Sequence, residues 1–301
     1  MITKKPMVSI IVATYRRDND LQRALESIVN LNYKEYEIIL VDDNDEELWN
    51  AKVQFIVKKF KENNTTIKIK TIINHSNMGS ARTRNIGISV ASGEYICFLD
   101  DDDIYLPSRI TNQLNPMIAN NADYSITDLA LYNENNKLIG FRKRDYIKNN
   151  SKEELLKYHL MYHMTGTDTL MFKKDYLLKI GCFDSIDVGD EFYLMNKAIE
   201  YGGNFLYVPT CDVKAYVHKA EGGLSSGKGK IVGENKLYEH KEKFFGKLVE
   251  KDIKYIKVRH HLVLARAYLR NRKIRGFLIE SIKAVSVDFS LVIGIVGKRY
   301  G

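Results

Sequence analysis

Gly93-Glu94-Tyr95-Ile96-Cys97-Phe98-Leu99-Asp100-Asp101-Asp102-Asp103 is the stretch on which the fold turns. The apolar run from Tyr95 to Leu99, opened by a Gly-Glu turn signal, reads as a buried strand. Four aspartates follow it directly. Like charges within a few ångströms repel, so this cluster needs a counter-charge. Hard divalent cations such as Mg²⁺ or Mn²⁺ take oxygen ligands and supply one. In open α/β sheets, ligands bind beyond the carboxyl ends of the strands. The stretch therefore predicts a metal-dependent site for a phosphate-bearing substrate. An acidic solvated turn is the plainer alternative, but an apolar strand running straight into the aspartates argues against it.

Upstream, strand and helix signals alternate. Val8 to Tyr15 is nearly continuous in apolar residues and predicts a buried parallel strand. Leu21, Leu25, Ile28 and Leu31 recur at helical spacing. Glu37 to Val41 predicts a second strand, closed by Asp42-Asp43-Asn44-Asp45. A helix around Leu48 to Phe60, a strand at Ile67 to Ile73, a turn at Asn77-Met78-Gly79 and a helix at Ala81 to Val90 follow. Four such alternations predict a doubly wound, mostly parallel sheet with right-handed crossovers.

Beyond Leu106 the pattern is less regular. A helix is expected from Leu106 to Ala119, kinked or ended by Pro116. Strands are expected at Tyr124 to Leu131 and Leu138 to Phe141, around an Asn-rich turn. Ser151-Lys152-Glu153-Glu154 matches a capping box opening a helix to about Tyr162. A strand at Thr169 to Phe172, a short helix capped by Gly181, and a helix from Asp190 to Tyr201 come next. Phe205 to Val208 and Val213 to His218 read as short strands. The Gly-rich stretch Glu221 to Gly233 predicts a mobile loop, either a linker or a lid over an anionic ligand.

Composition bounds the rest. With 301 residues, 45% hydrophobic and 28% charged, the chain has an ordinary globular make-up and ample material for a core. Three cysteines without metal-ligand spacing predict free thiols in a reducing cytosol. No signal peptide is expected, and the longest apolar stretch, Phe289 to Gly297, is too short to span a bilayer. The net charge of +8 is concentrated late: from Lys228 the chain is dense in Lys and Arg. Arg259, Arg266, Arg270, Arg272, Lys273 and Arg275 interleave with apolar residues there. This fits an amphipathic helix pair on an anionic membrane surface, and equally a packing helix with a solvated basic face. Two regions follow, a catalytic domain at 1–220 and a basic helical region at 221–301 that includes the loop.

Acidic or polar features now stand at the ends of four successive strands. VSIIVATYRR, EIILVDDND, NMGSARTRNIGI and GEYICFLDDDDIYLP, in that order and spacing, resemble the signature segments of family 2 glycosyltransferases. The resemblance covers about the first 110 residues closely; FDSIDVGDEFYLMNKAIEYG and VHKAEGGLSS match more loosely. It implies the GT-A nucleotide-sugar-binding fold and an inverting, metal-dependent transfer from a nucleotide diphosphate sugar, with UDP as the expected nucleotide. By that resemblance Ala13, Thr14, Tyr15 and Arg16 edge the base and ribose, and Asp43 contacts the base or ribose. Asn77, Gly79 and Arg84 belong to the donor-binding turn and helix, with Arg84 and neighbouring Arg82 near the aspartates. Asp100-Asp101-Asp102 matches the DxD element: Asp102 ligates Mn²⁺ or Mg²⁺, while Asp100 and Asp101 approach the donor. His218 is a further candidate ligand. The base that takes the acceptor's proton is expected near a helix start, at Asp190 first and Glu191 second. Many members carry Glu-Asp slightly earlier, where this chain has Val188-Gly189.

The implied acceptor is a hydroxyl of a glycan or a lipid-linked glycan in cell-surface polysaccharide synthesis, at the cytoplasmic face of a membrane. A nucleotidyltransferase would carry a glycine loop after the first strand, where this chain has Tyr15-Arg16-Arg17-Asp18. A basic nucleic-acid-binding protein would leave the aspartates at the buried strand unexplained, and no nucleic-acid partner is expected.

Overall fold

The computed structural model describes residues 5–186, 188–218 and 227–300. The chain divides into two compact units. One comprises Met1–Lys152, Met164–Ser185 and Asp190–His218; the other comprises Glu153–His163, Ile186–Gly189 and Lys219–Gly301.

The first unit opens with β1 (Val8–Thr14), α1 (Asn19–Val29), β2 (Tyr36–Asp42), α2 (Glu47–Asn63), β3 (Lys68–Ile73), α3 (Ser80–Val90) and β4 (Tyr95–Asp100). These are the four predicted strands and the helices between them. After β5 (Ile104–Tyr105) and α4 (Arg109–Ala119) come β6 (Tyr124–Thr127), β7 (Leu129–Asn133) and β8 (Leu138–Arg142). The chain then passes through α5 (Lys152–Tyr162), which from Glu153 belongs to the second unit, and the first unit resumes with β9 (Leu170–Lys173), α6 (Lys174–Lys179), α7 (Asp190–Tyr201), β10 (Phe205–Val208) and β11 (Val213–Val217). The main sheet runs β10-β6-β9-β4-β1-β2-β3 and is parallel except for β9; a smaller sheet runs β5-β11-β7-β8. This is the expected α/β architecture.

Burial explains the sequence patterns. β1 lies between β2 and β4 with both faces covered, so it is apolar throughout. Ile10, Val12, Leu25, Ile38 and Leu40 are fully buried, each worth roughly 1.5–3 kcal/mol against exposure. At the sheet edge β3 alternates exposed and half-buried residues, with Lys68 exposed. Successive strands β1, β2 and β3 add outward on one side of β1, and β4 lies on the other, which puts the topological switch point between β1 and β4.

Three expectations need correction. The helix expected from Leu106 begins at Arg109, after Pro107, and carries Pro116 in its last turn without breaking before Ala119. The strand expected over Tyr124 to Leu131 is two strands in different sheets. Asp128 separates them, its carboxylate accepting from the Arg144 amide (2.9 Å) and the Tyr207 hydroxyl (3.0 Å). Of the predicted Gly-rich loop, residues 221–226 lie outside the described residues, and 227–233 form the first turns of a helix, α8 (Gly227–Glu242). Gly233 serves close packing there: a Cβ would stand 2.5 Å from the Val188 side chain.

The second unit continues with α9 (Glu250–Arg270), α10 (Ile274–Val287) and α11 (Phe289–Tyr300). Ile256, Val258, Leu264 and Ala284 are buried as α9 and α10 pack together, closely enough that a Cβ at Gly276 would strike the Tyr268 ring. Glu280 is buried between His261 and Lys283, at 2.7 Å from each. No helix of the described residues is long and apolar enough to cross a membrane.

Candidate active site

Four strand ends build the site. Because β1 and β4 are parallel neighbours with Ala13 opposite Asp100, the chain leaving β1 runs beside the aspartates. The Tyr15 amide donates to Asp101 Oδ2 at 3.1 Å. Arg17 donates to Asp102 Oδ2 at 2.8 Å and stands 3.7 Å from Asp101. Thr14 is buried, Ala13 is half-buried, and the Tyr15 ring is exposed. Arg16 turns away from the aspartates, pairing with Glu46 and lying over the Tyr15 ring. Its backbone is left-handed (φ 53°), held by a 2.7 Å bond from its amide to Asn44 Oδ1. A non-glycine residue in this region is strained and persists only where its surroundings over-determine it.

At the end of β2, buried Asp43 organises the loop that leads into α3. It accepts from Asn74 Nδ2 (2.7 Å) and from the Met78 (2.9 Å) and Gly79 (3.0 Å) amides. Gly79 takes φ 80°, which suits only a residue without a Cβ, and Asn77 Oδ1 also accepts its amide. Three of the roughly four acceptor positions of the Asp43 carboxylate are thus spent on the loop.

Arg84, on α3 and 8% exposed, joins two elements. It donates to Asp100 and to Asp190 at the start of α7, both at 2.7 Å. Burial works against its charge, but the two carboxylates outweigh that and hold its pKa above the ordinary value. Arg82 lies elsewhere, donating to the Ser185 hydroxyl. Asp190 also accepts from the Ser80 hydroxyl (3.1 Å) and the Glu191 amide (2.9 Å). Burial pushes Asp190 up to about 6 despite Arg84. Glu191 follows it on α7 and is half-buried.

The smaller sheet delivers His218. Antiparallel pairing of β11 with β5, reinforced by the Tyr216 amide donating to Asp103 (2.8 Å), carries the chain end of β11 back to the aspartates. There His218 Nε2 stands 3.0 Å from Asp102 Oδ2, yet it is buried and makes no hydrogen bond. Two cis ligands of an octahedral ion with bonds of about 2.1 Å are themselves about 3 Å apart. This nitrogen and oxygen therefore fit a shared divalent ion. Burial and Asp100 raise Asp102 against the pull of Arg17 and His218; burial and Asp102 push Asp101 up to about 7. An excess of buried negative charge of this kind is what a cation relieves.

Asp168 escaped the sequence reading. It lies in the turn before β9, in the unremarkable run Thr165-Gly166-Thr167-Asp168-Thr169, and no spacing marks it. Its carboxylate accepts the Asp100 amide at 2.6 Å, and its oxygens approach those of Asp100 and Asp103 within 4.8 Å. Burial pushes Asp168 up to about 7 and Asp103 well above the carboxylate range, and the neighbouring carboxylates add to both shifts. Arg84, the Tyr216 amide and the Asp100 amide already occupy this trio. It braces the aspartate turn.

Carboxylates, a histidine and two arginines at the switch point of a mostly parallel sheet form a site able to hold a divalent ion and a phosphorylated nucleotide. Residues 9–177 match the family model described as glycosyl transferase family 2, and the chain belongs to that family. It is 33% identical over 179 residues (58% of this chain) to an uncharacterized glycosyltransferase of Methanocaldococcus jannaschii. It is 28% identical over 134 residues (44% of this chain) to the UDP-Glc:alpha-D-GlcNAc-diphosphoundecaprenol beta-1,3-glucosyltransferase WfgD of Escherichia coli. These matches span 59% and 49% of the relatives' own lengths, about half. The fold is similar to that of residues 1–349 of TarS from S. aureus, in a crystal structure with UDP-GlcNAc. That likeness has a TM-score of 0.61 at 14% identity and covers 93% of this chain and 92% of that one. The chain has the GT-A-like fold.

Proposed function

We propose that this protein transfers a sugar from a UDP-sugar to a hydroxyl of a lipid-linked glycan, with inversion at the anomeric carbon, during cell-surface polysaccharide synthesis. The observation that carries this reading is the convergence of Tyr15, Arg17, Asp101, Asp102 and His218 at the β1–β4 switch point. The E. coli relative named for a UDP-Glc donor and a diphosphoundecaprenol acceptor supports the choice of substrates.

Asp102 and His218 would hold Mn²⁺ or Mg²⁺, which when bound supplies Lewis-acid stabilisation of the leaving diphosphate. Ala13, Thr14 and Tyr15 edge the nucleoside. Asp43 acts chiefly by fixing the Asn77–Gly79 turn, and Arg17 adds positive charge beside the diphosphate. In the transfer the acceptor hydroxyl gives its proton to a carboxylate, and its oxygen attacks the anomeric carbon opposite the nucleotide. The bond from that carbon to the phosphate oxygen breaks, and UDP leaves with the electron pair. Of the two carboxylates at the start of α7, Glu191 is the more exposed and so the more open to an acceptor, and it fits the base better. Asp190, buried and bonded to Arg84, Ser80 and the Glu191 amide, serves as a positioning residue. Glu191→Gln and Asp190→Asn, assayed with a synthetic lipid-diphosphate acceptor, test this. Loss of transfer with unchanged donor KM in Glu191→Gln supports the assignment; near wild-type kcat in that variant refutes it.

A further inference from the structure

On α10 the apolar residues Ile274, Leu278, Ile282 and Val285 are 55%, 52%, 68% and 44% exposed. Their spacing of four, four and three residues keeps them in one nearly straight stripe along an undistorted helix. On α11, Phe289, Ile293 and Val296 repeat the pattern at 61%, 57% and 41% exposure. Large apolar side chains placed singly on a surface need no explanation, but two successive helices each presenting such a row mark an interaction surface.

The charge around the stripe selects the partner. Arg266, Arg270, Arg272, Lys273 and Arg275 crowd the α9–α10 turn; all are exposed and none makes an ion pair among the described residues. From His261 to Val287 the one acid is Glu280, buried and paired; Asp288 lies between α10 and α11, and Glu250 and Asp252 stand at the start of α9, away from the basic turn. A second copy of this chain packed stripe to stripe in parallel would bring like cationic clusters together, and an antiparallel copy would leave both clusters without a counter-charge. A surface that is apolar inside and anionic outside matches both features.

We propose that the exposed face of α10 and α11 docks on a bilayer containing anionic lipid, its Ile, Leu and Phe side chains entering the interface and the α9–α10 cations meeting the headgroups. The sequence places cations and apolar residues together from Arg259 to Phe277, on α9 and early α10; the docking face is instead carried by the later stripe, with the turn as its charged rim. Apolar contact and charge both contribute, each basic residue near an anionic surface adding about 1 kcal/mol, or roughly fivefold. The inference goes beyond sugar transfer and does not depend on it.

Flotation of the full chain with phosphatidylcholine vesicles, with and without phosphatidylglycerol, tests it. The expected result is binding to the anionic vesicles that weakens at least about tenfold between low and high salt. Binding should also weaken about tenfold or more in Ile282→Ser/Phe289→Ser, and in Arg270→Gln/Arg272→Gln/Arg275→Gln. Melting temperatures of both variants, measured alongside, separate loss of docking from loss of fold. No binding by the wild-type chain overturns the proposal, as does unchanged binding in folded variants. A wild-type dimer that Ile282→Ser/Phe289→Ser converts to monomer, without vesicle binding, overturns it in favour of contact between copies.

Discussion

Replacing Arg84 with Met should unlock the junction between α3, β4 and α7. The methionine has similar length but cannot donate to either carboxylate. The Asp190 limb carries most of the cost, because Arg84 and Asp190 side chains are 9% and 7% exposed. The Asp100 limb counts for less, since Asp100 is 34% exposed and water screens it. Removing one partner of a buried pair costs about 3–5 kcal/mol; discounted for the Asp100 limb, about 3 kcal/mol is expected at pH 8. Urea unfolding followed by circular dichroism, in metal-free buffer, would read this as a lower midpoint at constant slope. Two controls bind the result to the mechanism. At pH 5 the cost should shrink, because Asp190, at about 6, already carries its proton there and loss of Arg84 strands less charge. Adding Asp190→Asn to Arg84→Met should recover about 1 kcal/mol or more, since it removes the stranded charge. A loss below about 1 kcal/mol, or additive losses in the double variant, would refute the account of this bridge.

Other expectations follow from the same geometry. Asp190 has a folded pKa of about 6 against an ordinary 3.8, so the folded state binds the extra proton between those values. Its contribution to stability therefore falls as pH rises through that window, by a few kcal/mol, and Asp190→Asn should flatten this part of the pH–stability curve. His218→Ala should weaken Mn²⁺ binding by about tenfold or more in titration calorimetry with UDP present, with little change in melting temperature without metal. A Cβ at Gly93 would stand 2.6 Å from the Ser9 amide nitrogen and 2.9 Å from the Met7 carbonyl, so Gly93→Ala should cost about 1–3 kcal/mol in urea unfolding.

The half of the fold that was legible in the sequence is the half built by continuous apolar strands. β1, β2 and β4 announce themselves because both their faces are buried, and the polar residues at their ends must then collect on one side of the sheet. The later half was harder for physical reasons. β9 inserts antiparallel between β4 and β6, a pairing with no local signal, and it is this insertion that brings Asp168 under the aspartates. Asp128 breaks a run that reads as one strand, because its carboxylate is needed by Arg144 and Tyr207. The glycines at the start of α8 suggested flexibility, yet Gly233 permits contact with Val188. Between adjacent arginines, sequence could not tell that Arg16 turns to Glu46 while Arg17 meets Asp101 and Asp102.

The most direct test of the central claim is release of UDP from a panel of UDP-sugars, with Mn²⁺, Mg²⁺ or EDTA, by the wild-type chain and by Asp102→Ala. The account predicts metal-dependent UDP release from at least one donor, abolished by EDTA and by the substitution. Undiminished release in EDTA, or in a folded Asp102→Ala, would contradict it, as would failure to bind or cleave any nucleotide sugar with either metal.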